Sequence, residues 1–449
     1  MPKKTIQLSD HFTYSRLLRF VLPCIGTMLF TSIYGIVDGL CVSNFVGKTA
    51  FAAVNLIMPL PMLLGTIGFM LGTGGSAIVG ITLGEGDQKK ADRYFTLFLL
   101  AALVSVSVLA VLGIVFLRPI AVLLGAKGEL LDYAVRYGRI LMVSLPTFAL
   151  QNMFQSFFVT AEKPHLGFWF TVGAGCTNMV LDVLMVGVWG WSVEGAAIAT
   201  FISQLVGGVL PVFYFIDHHN TSRLHLCRTQ LYGRVLWDAC INGSSELMTS
   251  LSMSLVNILY NFQLLRLAGE NGVAAYGVIM YAAFLFVAVF VGYAVGSAPI
   301  VSFHYGARNH AEVHNLYQKS LRLIAVVAVS MTAVSMVLIP YVARIFVGYD
   351  AQLLALTSRA FRLYALSFLI MGFNVYASSF FTALGDGVTS ALISFLRTLL
   401  FQLAALLLLP ALWGIDGVWL AVTAAELAAL AVSVYMFMTK DQKFHYRHV

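Results

Sequence analysis

About twelve apolar stretches, each long enough to cross a bilayer, leave few folds open to this chain. They lie near 16–40, 51–80, 93–117, 132–160, 165–188 and 193–216, then 234–264, 272–303, 315–340, 354–384, 387–411 and 416–438. A helix needs roughly 20 predominantly apolar residues to span the hydrocarbon core. Of the 449 residues 59% are apolar and 10% charged, against roughly 25% charged in soluble domains. A water-facing globule, a disordered chain, a fibrous repeat and a nucleic-acid-binding protein are excluded on these numbers. The chain is predicted to be an all-α integral membrane protein.

The formal net charge of +7 is distributed along the chain as topology rather than as a phosphate-binding face. With the N-terminus inside, seventeen Lys and Arg fall in cytoplasmic segments and nine at outer ends, with Arg397 left inside a helix. The excess predicts a multi-pass plasma-membrane (cell inner membrane) protein with both termini cytoplasmic. Residues 1–20 carry Lys3, Lys4, Arg16 and Arg19 and show no cleavable signal pattern. Five scattered cysteines without CxxC spacing give neither a disulfide framework nor a zinc site.

The second half copies the first. A shift of 222 residues lays SFFVTA over SSFFTA, Asn152 over Asn374, Trp191 over Trp413, Glu194 over Asp416 and Gly84 over Gly306. Each copy holds an even number of spans, so the copies are parallel repeats related by an axis along the membrane normal. Residues 1–216 form one expected lobe, 217–233 a cytoplasmic linker, and 234–449 the second lobe. His218 and His219 in the linker read as solvated loop residues. Two such lobes describe a transporter that rocks around a central cavity. Pro23, Pro59, Pro61, Pro146, Pro211 and Pro299 interrupt apolar spans, where each removes a backbone hydrogen bond.

A carboxylate near mid-bilayer costs at least ~2.5–3.5 kcal/mol, so each one needs a reason. Asp38, Asp182, Glu246 and Glu426 qualify. Counting back from the helix ends at about 1.5 Å per residue places Asp38, Asp182 and Thr200 within roughly 10–14 Å of the outer surface. Asn178 lies one helical turn before Asp182, on the same face. Two carboxylates, an amide and a hydroxyl at one depth suit a hard monovalent cation or a proton equally. At the 222 shift Asp38, Asn178, Asp182 and Thr200 meet Tyr260, Leu400, Ala404 and Val422, so this site belongs to the first lobe alone.

Tyr34, Gln151, Asn152 and Glu246 are candidates for the wall of the substrate cavity. For Glu246, in NGSSELM, a hydrogen-bonded cap at a helix break is the other reading. Arg397 and Glu426 lie at similar depth on adjacent helices and are expected to form a structural ion pair. Pro23, fifteen residues before Asp38, is a candidate hinge, with a static bend as the alternative. The glycines of LGTGGSAIVG sit inside an apolar span and read as helix packing rather than a phosphate loop. Asp386, in ALGD, lacks the first Gly of a GxGD motif and falls in a cytoplasmic turn. No HExxH, GxSxG or Walker motif is present, so neither an enzyme nor ATP drive is expected, and no cofactor.

The first-helix segment LPCIGTMLFTSIYGIVDGLCVSNFVG, then AFAAVNLIMPLP and GTGGSAIVGITLGEGDQKKADRYF, resembles the multidrug and toxin extrusion (MATE) family over essentially the whole chain. In that resemblance Asp38 matches the acidic position of the first helix, Asn178 and Asp182 the fifth-helix N-x-x-x-D, and Thr200 the sixth-helix threonine of the cation site. The absence of an acid in SLSMSLVN points to the DinF-like, MepA-type branch; Glu246 is displaced toward the cytoplasm. The resemblance implies export of small organic, often cationic compounds such as drugs in exchange for H+ or Na+, by a monomer whose only other partner is the bilayer. The alternative is a flippase for lipid-linked oligosaccharide or peptidoglycan precursors. That chemistry needs a cationic cavity, whereas the acids here outnumber the single Arg397.

Overall fold

The computed structural model describes the backbone of residues 6–45, 48–217 and 219–446; the side chains of 38–45, 48 and 51 lie outside that description. His218 and the side chain of Asp38 therefore fall outside the described residues.

Among the described residues, twelve helical spans are laid out in chain order. The first is Tyr14–Phe45; the second is Lys48–Ile57 continued by Pro59–Gly84; the third and fourth are Gln88–Leu123 and Glu129–Thr160. The fifth and sixth, Pro164–Val188 and Ser192–Ile216, complete the first lobe. One continuous run, Gly233–Gly306, holds the seventh and eighth, 233–268 and 270–306, which turn back on each other where Gly269 takes φ 62° and ψ −150°. Only glycine reaches that backbone conformation at low cost. His310–Val347 is the ninth. The tenth is bent by 45° between Ala351–Ala365 and Phe368–Ala383, and Gly387–Trp413 and Ile415–Thr439 are the last two. A short helix, Asp441–Phe444, follows.

The repeat is written into the packing. On the third helix the buried stripe runs Ala102, Val106, Ala110, Gly113, Leu117, Ala121. On the ninth it runs Ile324, Ala328, Thr332, Ser335, Ile339, Ala343, the same positions 222 residues on. Both stripes follow the i, i+4, i+3 spacing of one helix face. The opposite faces, with Val104, Val108, Val115, Val326, Val329 and Val337, are exposed, as lipid contact requires. The caps repeat as well: Asp87 Oδ1 accepts from Lys90 N at 3.0 Å, and its counterpart Asn309 Oδ1 accepts from Glu312 N at 3.2 Å.

At the end of the bundle that carries the termini the lobes are pressed together. The glycines of the second helix permit this: Gly74 faces the backbone of Ala239 and Gly243 on the seventh helix, and Gly80 faces Ser302 on the eighth. An N-terminal strap with a turn at residues 8–10 crosses under the seam. Glu162 Oε1 of the first lobe accepts from Leu8 N at 2.8 Å, while Glu312 Oε1 of the second accepts from Phe12 N at 2.9 Å. Lys319 Nζ and Asn315 Nδ2 donate to Phe12 O at 2.7 and 3.1 Å. The linker lies along the start of the third helix, where His225 N donates to Asp92 Oδ1 and Cys227 N to Thr96 Oγ1. Its Arg223 pairs with Glu162 at 2.7 Å and covers the Phe303 ring.

Candidate functional site: a central cavity and a buried polar cluster

Between the lobes lies a cavity of about 540 Å³. Met28, Thr31 and Ser32 of the first helix and Thr73 and Ser76 of the second contribute to its wall, but most of the lining comes from the second lobe. Tyr260 and Tyr276, stacked with centroids 4.9 Å apart, form an aromatic side, and Met253, Met280 and Met371 supply soft apolar surface. Three charges face in among the described residues: Glu246, Arg397 and Glu426.

Glu246 stands on the wall, and the helix 233–268 runs through it without a break, so the cap reading of this residue has no structural basis. Arg397 Nη1 lies 3.8 Å from Glu426 Oε1, and both side chains also line the cavity. Glu426 is held chiefly by Asn374, whose Nδ2 donates to Glu426 Oε2 at 2.7 Å and to its carbonyl at 2.9 Å. Ser433 Oγ donates to Asn374 Oδ1 at 2.9 Å, which fixes the amide. Sequence reasoning missed Asn374 as a partner; its signal was the match to Asn152, since Glu426 and Gln204 are likewise counterparts and both are buried.

The other three expected wall residues are elsewhere. Tyr34 stands off the lining; its ring lies against the fifth helix, where a methyl on Gly175 would come within 3.3 Å of it, and packs on Phe30. Gln151 lines a small adjoining recess with Cys24, Thr27 and Gly207, which shares Met28 and Val295 with the central cavity. Asn152 is buried inside the same lobe and is not part of the lining, although Ser156, one turn further along the fourth helix, is.

The first-lobe polar cluster is off the cavity too. Asn178 Nδ2 donates to Thr200 Oγ1 across the fifth and sixth helices at 3.5 Å. Asp182 is fully buried one turn beyond Asn178. It is the last α-helical residue before a wide π-turn, Val183–Val188, and a second such turn, Leu205–Val209, follows Thr200. Such turns rotate the side chains beyond them and recur at functional sites. A carboxylate, an amide and a hydroxyl brought together by two helices are an oxygen-rich setting for a proton or a monovalent cation as cargo. No group of three His, Cys, Asp or Glu able to hold a metal occurs among the described residues. The first helix is continuous through Pro23, and Thr27 Oγ1 donates to the Pro23 carbonyl at 2.9 Å.

Two repeated six-helix lobes around a central cavity define a membrane transporter, not an enzyme. The MatE family model matches residues 23–184 and 247–406, one segment in each lobe, and the chain belongs to that family. The Multidrug export protein MepA of Staphylococcus saprophyticus is 21% identical over 433 residues, covering 96% of this chain and 94% of that protein. Its Staphylococcus aureus namesake is 22% identical over 435 residues with the same coverage. These relatives are consistent with the MepA-type branch. Among solved structures, a MATE in complex with MaL6 superposes with a TM-score of 0.92 at 22% identity, covering 99% of both chains. An outward-facing multidrug resistance MATE transporter of the MOP superfamily gives 0.91 at 22% identity, again over 99% of both chains. A MOP superfamily transporter from Pyrococcus furiosus, described as having a binding pocket of reverse polarity, gives 0.90 at 22% identity over 99% of both.

Proposed function

We propose that this protein is a secondary antiporter of the plasma membrane that exports small organic, amphiphilic cations, drugs among them, in exchange for H+ or Na+. In this reading the two lobes rock against each other around the central cavity to expose it alternately, the protein acts as a monomer, and both termini are cytoplasmic. The observation that carries it is the division of the buried acids. Glu246 faces a cavity large enough for a drug-sized molecule, whereas Asp182, Asn178 and Thr200 are sequestered in the other half of the fold. Cargo and coupling ion then occupy different places and compete through one conformational equilibrium. Asp38 is assigned to the coupling site with them, from its position in the first helix. The Staphylococcus relatives named as multidrug export proteins support the same direction of transport. A pyrophosphate-bearing flippase substrate fits less well, because carboxylates outnumber the one guanidinium on the wall.

The test is transport by purified protein in proteoliposomes with either a pH gradient or a sodium gradient imposed. Uptake of an organic cation against either gradient supports antiport and identifies the ion. Transport indifferent to both gradients would remove the antiport mechanism.

A further inference from the structure

The three charges on the cavity wall are not equally committed. Glu426 is satisfied on one oxygen by Asn374, itself anchored by Ser433. Arg397, on a wide π-turn of the eleventh helix (Leu396–Leu400), is 15% exposed and its Nη1 is sealed from solvent without a hydrogen-bond partner. At 3.8 Å from Glu426 Oε1 it acts through space rather than as a bidentate fork. Glu246 has no ion-pair partner among the described residues.

Among the described residues, two ionised carboxylates and one guanidinium leave the wall with one net negative charge. We propose that Arg397 sets this count, so that the cavity takes a flat monovalent organic cation and rejects a dication of similar size and shape. A single positive charge near Glu246 neutralises the wall. A second finds only the guanidinium, and a unit like charge about 10 Å away at an effective dielectric constant near 20 weakens binding on the order of tenfold. The stacked Tyr260 and Tyr276 and the methionines around them favour a planar, polarisable cation. The inference rests on the cavity being the substrate site, as proposed above.

Ethidium and propidium share a ring system and differ by one permanent charge, so their binding to the purified full-length protein, read by fluorescence polarisation, tests the count. Wild type is expected to prefer ethidium by on the order of tenfold. Arg397→Met raises the wall to two net negative charges and should bring the two dyes to parity or reverse their order; Arg397→Lys should keep the wild-type preference. Arg397→Met combined with Glu426→Gln returns the count to one and should restore the preference for ethidium. This double variant removes both members of the Arg397–Glu426 pair and so strands neither, which keeps the test decisive if the single variant unfolds. Glu246→Gln should weaken both dyes. An unchanged dye ratio in Arg397→Met, or a double variant without the ethidium preference, would overturn the charge count while leaving the cavity reading in place. Failure of wild type to bind either dye would overturn the cavity reading itself, and the count with it.

Discussion

Gly80 and Ser302 stand 222 residues apart in the chain and touch: a methyl group on Gly80 would lie 2.8 Å from Ser302 Cβ. Each occupies in its own lobe the place the other occupies in the opposite lobe, so the pseudo-twofold axis passes between them. The flanking contacts are reciprocal, as the axis demands: Gly84 lies against the backbone of Phe303, and its counterpart Gly306 against that of Ile81, the counterpart of Phe303. Helices 2 and 8 form the seam at the terminal end, and separation of the lobes must part them there.

Gly80→Leu is expected to wedge this seam. Overpacking a close contact costs about 1–3 kcal/mol, and here the strain is relieved by parting the lobes. Thiol labelling of single cysteines at the terminal ends of these helices should rise in the variant. Unchanged labelling would place the contact outside the moving interface.

Asp182→Asn and Asp38→Asn are each expected to abolish gradient-driven efflux while leaving protein amount and fold intact. Asn178→Ala and Thr200→Ala should be milder, since each removes a neutral oxygen rather than a titrating charge. Proteoliposome flux checks this, and wild-type rates in both Asp variants would dismiss the coupling assignment.

Asn374→Leu should destabilise the second lobe by roughly 2–3 kcal/mol, because it strips the buried Glu426 carboxylate of its short hydrogen bond and leaves Arg397 as a distant partner. Glu426→Gln in the same background should recover much of the loss. Thermal unfolding of the single and double variants measures the coupling, and strict additivity would show that Asn374 does not support Glu426.

The N-terminal strap is expected to act as a tie between lobes, because one carboxylate from each lobe holds it: Glu162 at Leu8 and Glu312 at Phe12. Phe12→Ala combined with Glu312→Gln should free its second-lobe end. Spin-label distances across the terminal ends of helices 2 and 8 should then broaden toward longer values. A distribution identical to wild type would show that glycine packing alone closes this end.

Asp386, in the turn after the tenth helix, is buried, which raises its carboxyl pKa; Lys440 at 3.0 Å and Thr389 more than offset this and hold it below its ordinary value of 3.8. A depressed carboxylate stabilises the fold above its unfolded pKa, and that contribution is lost as the pH falls through the folded value. Asp386→Asn should therefore cost about 1 kcal/mol at neutral pH. The difference from wild type should shrink below about pH 4 and close as acidification proceeds. A pH-independent difference in unfolding would assign the loss to the helix cap instead.

Hydropathy and spacing are local properties, and they determined the span count, the repeat register and the first-lobe location of Asn178, Asp182 and Thr200. Helical phase within each span was equally legible, which is why the buried stripes of the third and ninth helices fall at matching positions. Which neighbour each face meets was not legible, because it depends on how helices far apart in sequence cross. Met28, Thr31 and Ser32 look into the cavity, while Phe30 and Tyr34, on the adjoining face of the same helix, turn to the fifth helix. For the same reason Asn374 became the principal partner of Glu426, and Arg397 became part of the cavity wall as well as half of an ion pair. A polar residue inside an apolar span announces that it must be satisfied; only the packed lobes decide by whom, since the choice rests on a few ångströms of approach between surfaces whose patterns look alike in the chain.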